Sequence, residues 1–238
     1  MTALAIVLLA IGFGDLSHGL AGMPSSRNRA LLAIGVSLVV GVVGVLGNDG
    51  RGQDAVVTIV VVAIVASAWQ LVRVGFASPQ LQLATLGGGI CAAAVLSTLH
   101  FSGHNGLWGD FLEESRIDLI RETRAAEVLL ILGVGVVMVA TANAIVRVVL
   151  DVVIDGDPPT TRIRGGRVIG PLERLLIVGL VVAGQPTTAA LVVTAKSLLR
   201  YPELRSHDDV DVHAVTEYVL IGSLMSWSIA LAATIPFA

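Results

Sequence analysis

The chain contains 238 residues, of which 55% are hydrophobic and only 14% are charged, and its formal net charge is −3. Together with a mean hydropathy of +0.85, this composition lies outside the range of soluble globular proteins and predicts an integral membrane protein surrounded by the lipid bilayer. The net negative charge and the lack of any run of Lys and Arg exclude a basic face, so no nucleic-acid partner is expected.

Apolar stretches with the composition of membrane helices follow one another along the whole chain. Crossing about 30 Å of hydrocarbon takes ~20 predominantly apolar residues in a helix. Eight stretches come close to that requirement, and they are residues 2–22, 30–47, 55–76, 82–101, 125–150, 169–184, 187–200 and 214–235. Because backbone groups in lipid must be satisfied within their own segment, the chain is predicted to be all-α, a polytopic transmembrane bundle of about seven to eight helices.

The same pattern divides the chain into three parts. Residues 1–150 form a five-helix N-terminal membrane region, which includes a surface segment at 108–124. Residues 151–168 form a polar cytoplasmic loop, and residues 169–238 form a C-terminal membrane module with a broken helix. The surface segment mixes apolar residues with charges of both signs, which is typical of an amphipathic helix lying on a membrane.

A break at Gln185-Pro186 interrupts the C-terminal module, and it allows two topologies. If the segment crosses the membrane once with a kink, basic residues divide almost evenly between the two sides. If the break is the tip of a helical hairpin, 11 of the 15 Lys and Arg residues fall on one side. The second arrangement fits the positive-inside rule better and places both termini outside the cell. Pro at the first turn of the returning arm is also a common helix start.

Seven polar or charged residues stand inside or at the ends of the apolar stretches. They form the candidate site, and they are Asp15, His18, Glu173, Arg174, Gln185, Lys196 and Glu217. The hairpin topology places most of them near the cytoplasmic face. One interpretation is a buried ion-pair network, with Lys196 paired to Glu173 or Glu217 and Asp15 paired to an arginine. The other is a polar cavity that binds a solute, a coupling ion or a partner.

Three further polar segments contain groups of the kind that bind ligands. The broken helix at Gln185 exposes backbone groups that can hold a solute, although capping of the new helix explains the same residues. Two segments combine histidine with carboxylates, at residues 100–114 and 207–213. Neither has a specific ligand spacing, so no metal, no cofactor and no catalytic residue is predicted.

The last third of the chain carries the motifs GRVIGPLERLLI at 166–177, AKSLLR at 195–200 and EYVLIGSL at 217–224, with a Gly-Gln pair at 184–185. This pattern resembles the C-terminal part of a family of bacterial multi-pass integral membrane proteins of unknown function. Family members are similar in placing an Asp near the end of the first helix, as Asp15 is here, while the middle of this chain departs from them. The resemblance implies one module containing Arg167, Glu173, Arg174, Gln185, Lys196 and Glu217, and it implies no reaction.

Three functions from different classes follow. A transporter- or channel-like protein is favoured, because intramembrane charges and a broken helix are typical of proteins that move solutes. A non-catalytic membrane subunit or scaffold is the alternative, in a homo-oligomer or a larger complex, because many small residues allow close helix packing. An intramembrane enzyme comes third, since no known catalytic motif is present. The excess of Arg over Lys indicates a bacterial source, and hence a multi-pass protein of the cytoplasmic (inner) membrane.

Overall fold

The structure is a computed structural model, and it describes residues 2–20, 25–47, 53–74, 78–99, 106–114, 123–153, 166–205 and 212–237. All regular secondary structure in these ranges is helical, which confirms the all-α prediction. The chain forms two compact units, Met1–Thr141 and Ala142–Ala238.

Ten α-helices occur in the described residues. They are α1 (Thr2–Leu20), α2 (Ser26–Gly47), α3 (Gln53–Val74), α4 (Pro79–Leu99), α5 (Leu107–Glu113), α6 (Ala125–Val139), α7 (Thr141–Val153), α8 (Gly166–Val182), α9 (Pro186–Arg205) and α10 (Val212–Ala232), and a 3-10 turn follows at Ile235–Phe237.

The predicted count of seven to eight membrane helices is not exactly matched, for one physical reason. The stretch predicted as one helix at 125–150 is interrupted at Ala140, which separates α6 from α7. Helix α5 forms at the start of the predicted surface segment and is too short to cross a membrane. Hydropathy detects long apolar windows, and it misses a one-residue break inside a window.

Helix α1 is the centre of the first unit. It packs against α2, α3, α4 and α6, and 67% of its apolar window is buried inside the protein. Its residues are apolar on every side from Ala3 to Gly12, so that four neighbours can surround it without exposing a polar group to lipid. Burial of this helix makes any polar residue on it an interior group, and this is the context of Asp15.

Close contacts at glycines show the direction in which the helices run. A Cβ added at Gly44 of α2 would meet Ile6, and one at Gly14 of α1 would meet Ser37 of α2, so α1 and α2 are antiparallel. A Cβ at Gly12 would meet Val136 of α6, whereas one at Gly133 would meet Leu8 of α1. Helices α1 and α6 are therefore parallel, and the C-terminal end of α1 lies beside the N-terminal end of α2.

Helix length and composition identify the candidate membrane spans. Five helices of the described chain are long and apolar enough to cross a bilayer, and α6 together with α7 makes a sixth if the broken pair is one span. The five are Thr2–Leu20, Arg27–Gly47, Ala55–Arg73, Pro79–Thr98 and Thr216–Phe237. These spans establish the coarse prediction of a multi-span membrane protein.

The second unit contains the predicted break as a helical hairpin. Helix α8 packs against α9 and α10. Glu173 and Lys196 stand equally far from the turn and form an ion pair across it, which requires the two arms to run antiparallel. The turn closes with hydrogen bonds from the Gln185 N–H to the Leu180 carbonyl and from the Gly184 N–H to the Val181 carbonyl. Gly184 has a φ of 73°, so this is a Schellman C-cap with glycine in the left-handed region.

Several predicted features lie outside the described residues. They include most of the cytoplasmic loop 151–168, the amphipathic residues 115–122, and His100, His104 and His207 of the two histidine segments. The structural assignments of these segments therefore remain predictions from the sequence. The described beginning of the surface segment, α5, carries Asp110 and Glu113 as exposed residues.

Candidate functional site

A buried carboxylate near the C-terminal end of α1 forms the centre of the site. Asp15 is only 3% exposed, although it carries a charge and belongs to a helix that can span a membrane. Burying an isolated carboxylate inside a membrane bundle would cost several kcal/mol of free energy. The surrounding helices must therefore supply hydrogen-bond donors and a compensating charge.

Helix α3 supplies those groups from one face. The Trp69 indole N–H donates to both carboxylate oxygens of Asp15 at 3.1 Å. The Gln70 amide nitrogen donates to Oδ1 at 2.9 Å, and Arg73 Nη1 donates to the same oxygen at 2.5 Å. Arg73 stands one helical turn beyond Trp69 and Gln70, which is the spacing that brings side chains to a common face. The three donors therefore converge on Asp15 because of their spacing in α3.

The two side chains of the Asp15–Arg73 ion pair differ in exposure. The Asp15 side chain is 0% exposed, whereas the Arg73 side chain is 23% exposed. Arg73 lies in the last turn of α3, from which a long side chain can reach a membrane surface while its head contacts an interior group. The guanidinium thus lies between the buried carboxylate and the surroundings of the helix end.

Two polar atoms beside this network have no hydrogen-bond partner. They are Gln70 Oε1 and Ser37 Oγ, both in residues with 0% exposure. Gly14 lets the Ser37 and Gln70 side chains approach α1, because a Cβ at that position would collide with Ser37 Oγ and lie 2.9 Å from Gln70 Nε2 and 3.1 Å from the Ala33 carbonyl oxygen. Buried polar groups in proteins are normally paired, so Gln70 Oε1 and Ser37 Oγ are exceptions among the described residues.

Further basic residues surround the same end of the unit. His18 lies within electrostatic range of Arg73, Arg29 and Asp15. Arg29 stands near the start of α2 with a buried Nε that has no hydrogen-bond partner, and Arg27 is exposed two residues earlier. This end of the first unit therefore carries several cationic groups around one buried carboxylate.

The second unit holds its polar side chains in a different way. Arg174 is 2% exposed and donates to Ser226 Oγ of α10 at 2.8 Å and to Asn143 Oδ1 of α7 at 2.5 Å. The neighbouring Glu173 forms its ion pair with Lys196. Arg174 thus connects α8 with α7 and α10. The ion pair of Glu173 with Lys196 connects α8 with α9. This arrangement matches the ion-pair interpretation for Lys196 and Glu173.

The remaining predicted site residues of this unit are peripheral. Gln185 is exposed at the hairpin turn, where its side-chain oxygen lies 3.5 Å from Thr188 Oγ1 at the start of α9. Glu217 is exposed on α10. The structure therefore divides the predicted set between the units, with Asp15 and His18 in the first and Glu173, Arg174, Gln185, Lys196 and Glu217 in the second.

Sequence reasoning did not select the partners of Asp15 or of Arg174. Arg73 was used only in the count of basic residues on each side of the membrane, and Trp69, Gln70 and Ser37 were not predicted as site residues. The available signal was the motif WQLVR at 69–73, in which an indole, an amide and a guanidinium fall on one helix face at the end of an apolar stretch. Such a face has an excess of donors, which predicts an interior acceptor.

Among the residues that the structure describes, no group of three or more His, Cys, Asp or Glu side chains could hold a metal ion. The Asp15 network consists of one carboxylate, amide and hydroxyl oxygens, and cationic nitrogens. Fold and site together define the class as a helical, multi-span membrane protein with a buried ionisable cluster. Comparison with protein-family models, curated proteins and solved structures finds no match at any of the three levels.

Proposed function

We propose that this chain is a transporter- or channel-like protein of the bacterial cytoplasmic membrane, and that the moving species binds at the polar site around Asp15. The observation that carries the proposal is a fully buried carboxylate on the central helix of a membrane bundle. Ionisable groups at such positions are rare and costly, and they commonly mark solute or ion pathways.

The position of the site supports the same function. Arg29 and Ser37 are eight residues apart on α2, which corresponds to a depth of about 12 Å along a helix axis. Polar groups therefore extend from the end of the bundle, at Arg29, to the buried Ser37 and Gln70. Below them, α1 presents only apolar residues such as Ile11 and Leu8, which are buried. A polar path that ends at an apolar layer is typical of a site open to one side of a membrane.

A second candidate, a non-catalytic subunit of a membrane complex, is favoured by the second unit. Helices α9 and α10 expose polar side chains among apolar ones, including Thr187, Thr194, Glu217 and Ser228. In lipid, exposed polar groups gain from a partner helix with which they can form hydrogen bonds. A second copy of this chain or another membrane protein would provide such a partner helix.

Flux through reconstituted protein tests the transport proposal. Proteoliposomes are subjected to concentration jumps of Na⁺, K⁺, protons, chloride and phosphate, and charge movement is recorded on a solid-supported membrane. We expect one of these jumps to produce a current in the wild-type protein that Asp15→Asn abolishes, because the substitution removes the charge and keeps the shape of the side chain. Asp110→Asn, at an exposed carboxylate of α5, is the matched control and should leave the current unchanged.

Two results would contradict this proposal. Wild-type proteoliposomes that respond to every jump like protein-free liposomes would remove the basis for the proposal. If Asp15→Asn and Asp110→Asn gave equal currents, the assignment of the binding site to Asp15 would be wrong. Chemical cross-linking in native membranes would then test the subunit function, which expects cross-linked partners through α9 and α10.

A further inference from the structure

We infer that Asp15 binds a proton in exchange for the Arg73 guanidinium, so that the species bound at this carboxylate is H⁺ and no larger ion. Proton binding names the moving species of the proposed function and rests on that function. Three observations carry it: the filled space around the carboxylate, the charge balance of the ion pair, and two oxygen atoms that have no partner while Arg73 is bound.

The first observation is that neighbouring side chains fill the space around Asp15. Three side chains of α3 direct N–H groups at its two oxygens, at distances of 2.5–3.1 Å. On the Gly14 side, Ser37 Oγ and Gln70 Nε2 both lie within 2.9 Å of the position that a Cβ would take. The Asp15 side chain is 0% exposed. A proton fits such a site because it bonds to one carboxylate oxygen and needs neither a cavity nor a shell of ligands.

The second observation is the charge balance of the ion pair. Arg73 compensates the charge of Asp15, and its side chain is 23% exposed whereas that of Asp15 is not exposed. The guanidinium can therefore turn toward the end of α3, where its charge is solvated. A protonated Asp15 is neutral and needs no counter-ion, so its burial costs far less free energy than that of a bare carboxylate. Neither state contains an uncompensated buried charge, and the site can exchange between them.

Few other charges face Asp15 from the helices that pack against α1. His18 stands one turn further along α1 on the same face, and it lies within electrostatic range of Asp15, Arg29 and Arg73. The remaining charged or titratable residues of α2, α3, α4 and α6 are exposed or stand in a first helical turn, and they are Arg27, Asp54, Cys91 and Glu127. His18 is thus the titratable group between Asp15 and the end of α1, from which a proton enters.

The third observation is the pair of buried oxygens without partners, Gln70 Oε1 and Ser37 Oγ. The Gln70 amide nitrogen now faces Asp15 Oδ1 and the Gly14 side of α1, which suits a carboxylate that only accepts hydrogen bonds. A protonated Asp15 has an O–H group that must donate. Half a turn of the amide places Oε1 where Nε2 now lies. This oxygen has two lone pairs, so it can accept from the Asp15 and Ser37 hydroxyl groups together.

The bound proton has a defined position on the carboxylate. It bonds to Asp15 Oδ1, the oxygen from which Arg73 departs and which the Gln70 amide already faces. One O–H bond forms and no other covalent bond changes. Trp69 keeps its hydrogen bond to Oδ2, which becomes the carbonyl oxygen of the acid and remains an acceptor. The indole of Trp69 therefore contacts a charged group in one state and a neutral group in the other.

Trp69 emission measures this exchange in the full-length protein. The chain contains three tryptophans, so Trp108→Phe and Trp227→Phe leave Trp69 as the sole indole in a parent variant. Its emission is recorded in detergent micelles at constant ionic strength between about pH 4 and about pH 9, which spans the ordinary titrations of carboxyl and imidazole groups. Size-exclusion chromatography at each pH checks that the protein stays folded. We expect a one-proton titration that Asp15→Asn abolishes.

Ser37→Ala distinguishes proton binding from an ion pair that is only structural. The Ser37 hydroxyl has no partner while Arg73 is bound and gains one only in the protonated state, so its removal weakens the protonated state alone. We expect the midpoint of the Trp69 titration to fall by about 0.5–1 pH unit, the equivalent of one neutral hydrogen bond. The variant should fold, because the hydroxyl has no partner to lose.

Two further variants serve as controls. Thr141 Oγ1 is also buried without a partner but belongs to another helix, so Thr141→Val should keep the midpoint of the parent variant. His18→Gln should keep a titration that depends on Asp15, because the indole of Trp69 contacts the carboxylate.

Three results would overturn proton binding at Asp15. They are Trp69 emission that does not change with pH in the folded protein, a titration that persists in Asp15→Asn but disappears in His18→Gln, and equal midpoints in Ser37→Ala and the parent variant. If a current of another ion depends on Asp15 while Trp69 does not titrate, the proton is the wrong species and transport stands. If Trp69 titrates as expected and no ion jump produces a current, proton binding stands and the transport function is wrong.

Discussion

Gly14, which precedes the buried carboxylate, is one of the tightly packed glycines of the first unit. Its Cα faces Ser37, Gln70 and the Ala33 carbonyl at distances that leave no room for a side chain. Glycine is required here for close helix approach, because the conformation itself is ordinary helix. Small residues have this role in many membrane helix interfaces. The polar cluster and the close packing of α1 with α2 thus depend on the same position.

Gly14→Ala tests this dependence. We expect it to destabilise the protein by about 1–3 kcal/mol, the usual effect of overpacking, and to displace Ser37 and Gln70. The measurement is thermal unfolding in detergent, followed through tryptophan fluorescence. Gly35→Ala is the matched control, because a Cβ at Gly35 of α2 meets nothing within 4 Å; it should be neutral or stabilising by up to about 1 kcal/mol. Equal effects of the two substitutions would contradict the packing argument.

At the scale of elements, the hairpin of α8 and α9 depends on its turn and on one ion pair. The Schellman turn at Gly184-Gln185 reverses the chain locally, and the pair of Glu173 with Lys196 fixes the two arms eleven residues from this turn on either side. The two side chains are 17% and 19% exposed. The pair is therefore intermediate between an exposed one, which contributes little, and a buried one, whose disruption is costly.

A double-mutant cycle measures this contribution. Glu173→Gln and Lys196→Met should each lower the free energy of unfolding by about 2 kcal/mol, between the exposed and the buried limits. The double variant should recover part of the loss, because no unpaired charge is left. Glu217→Gln, at an exposed carboxylate of the same unit, should have almost no effect. Additive losses in the double variant would show that the two residues act independently.

At the scale of the whole molecule, the hairpin decides how many times the chain crosses the membrane. Because α8 and α9 run antiparallel, the segments that precede and follow the hairpin leave it at the same end. This is the topology that places 11 of 15 basic residues on one side. Neither arm is among the candidate full spans. Helix α8 has only 17 residues, whereas α9 has 20 residues and falls short in hydropathy instead of length.

Cysteine labelling from the two sides of the membrane checks this topology. In a Cys91→Ala background, Asp157→Cys and Asp208→Cys, in segments outside the described residues, should react with an impermeant reagent from the same, cytoplasmic side. Gln185→Cys, at the turn, should react from the other side, or from neither side if the hairpin only enters the membrane. Labelling of Asp157→Cys and Asp208→Cys from opposite sides would exclude the hairpin topology.

The residues that sequence analysis found and those that it missed differ in one physical respect. Asp15, Glu173, Arg174 and Lys196 stand out because a charge within an apolar stretch is improbable without a partner. Ser37 and Gln70 do not stand out, because serine and glutamine are common in membrane helices and burying them costs less free energy than burying a charge. Ala140 also carried no signal, since alanine is a good helix former.

The sequence by itself determined the environment, the helical class, the approximate place of most helices and the break at Gln185-Pro186, because hydropathy and turn chemistry are local properties of neighbouring residues. Only the tertiary structure decided which side chains meet. Asp15 lies 54 to 58 residues from Trp69, Gln70 and Arg73, and their contact depends on the rotation of each helix about its axis. Helices that are apolar on all sides do not encode that rotation in their hydropathy, so it is set by close packing at positions such as Gly14.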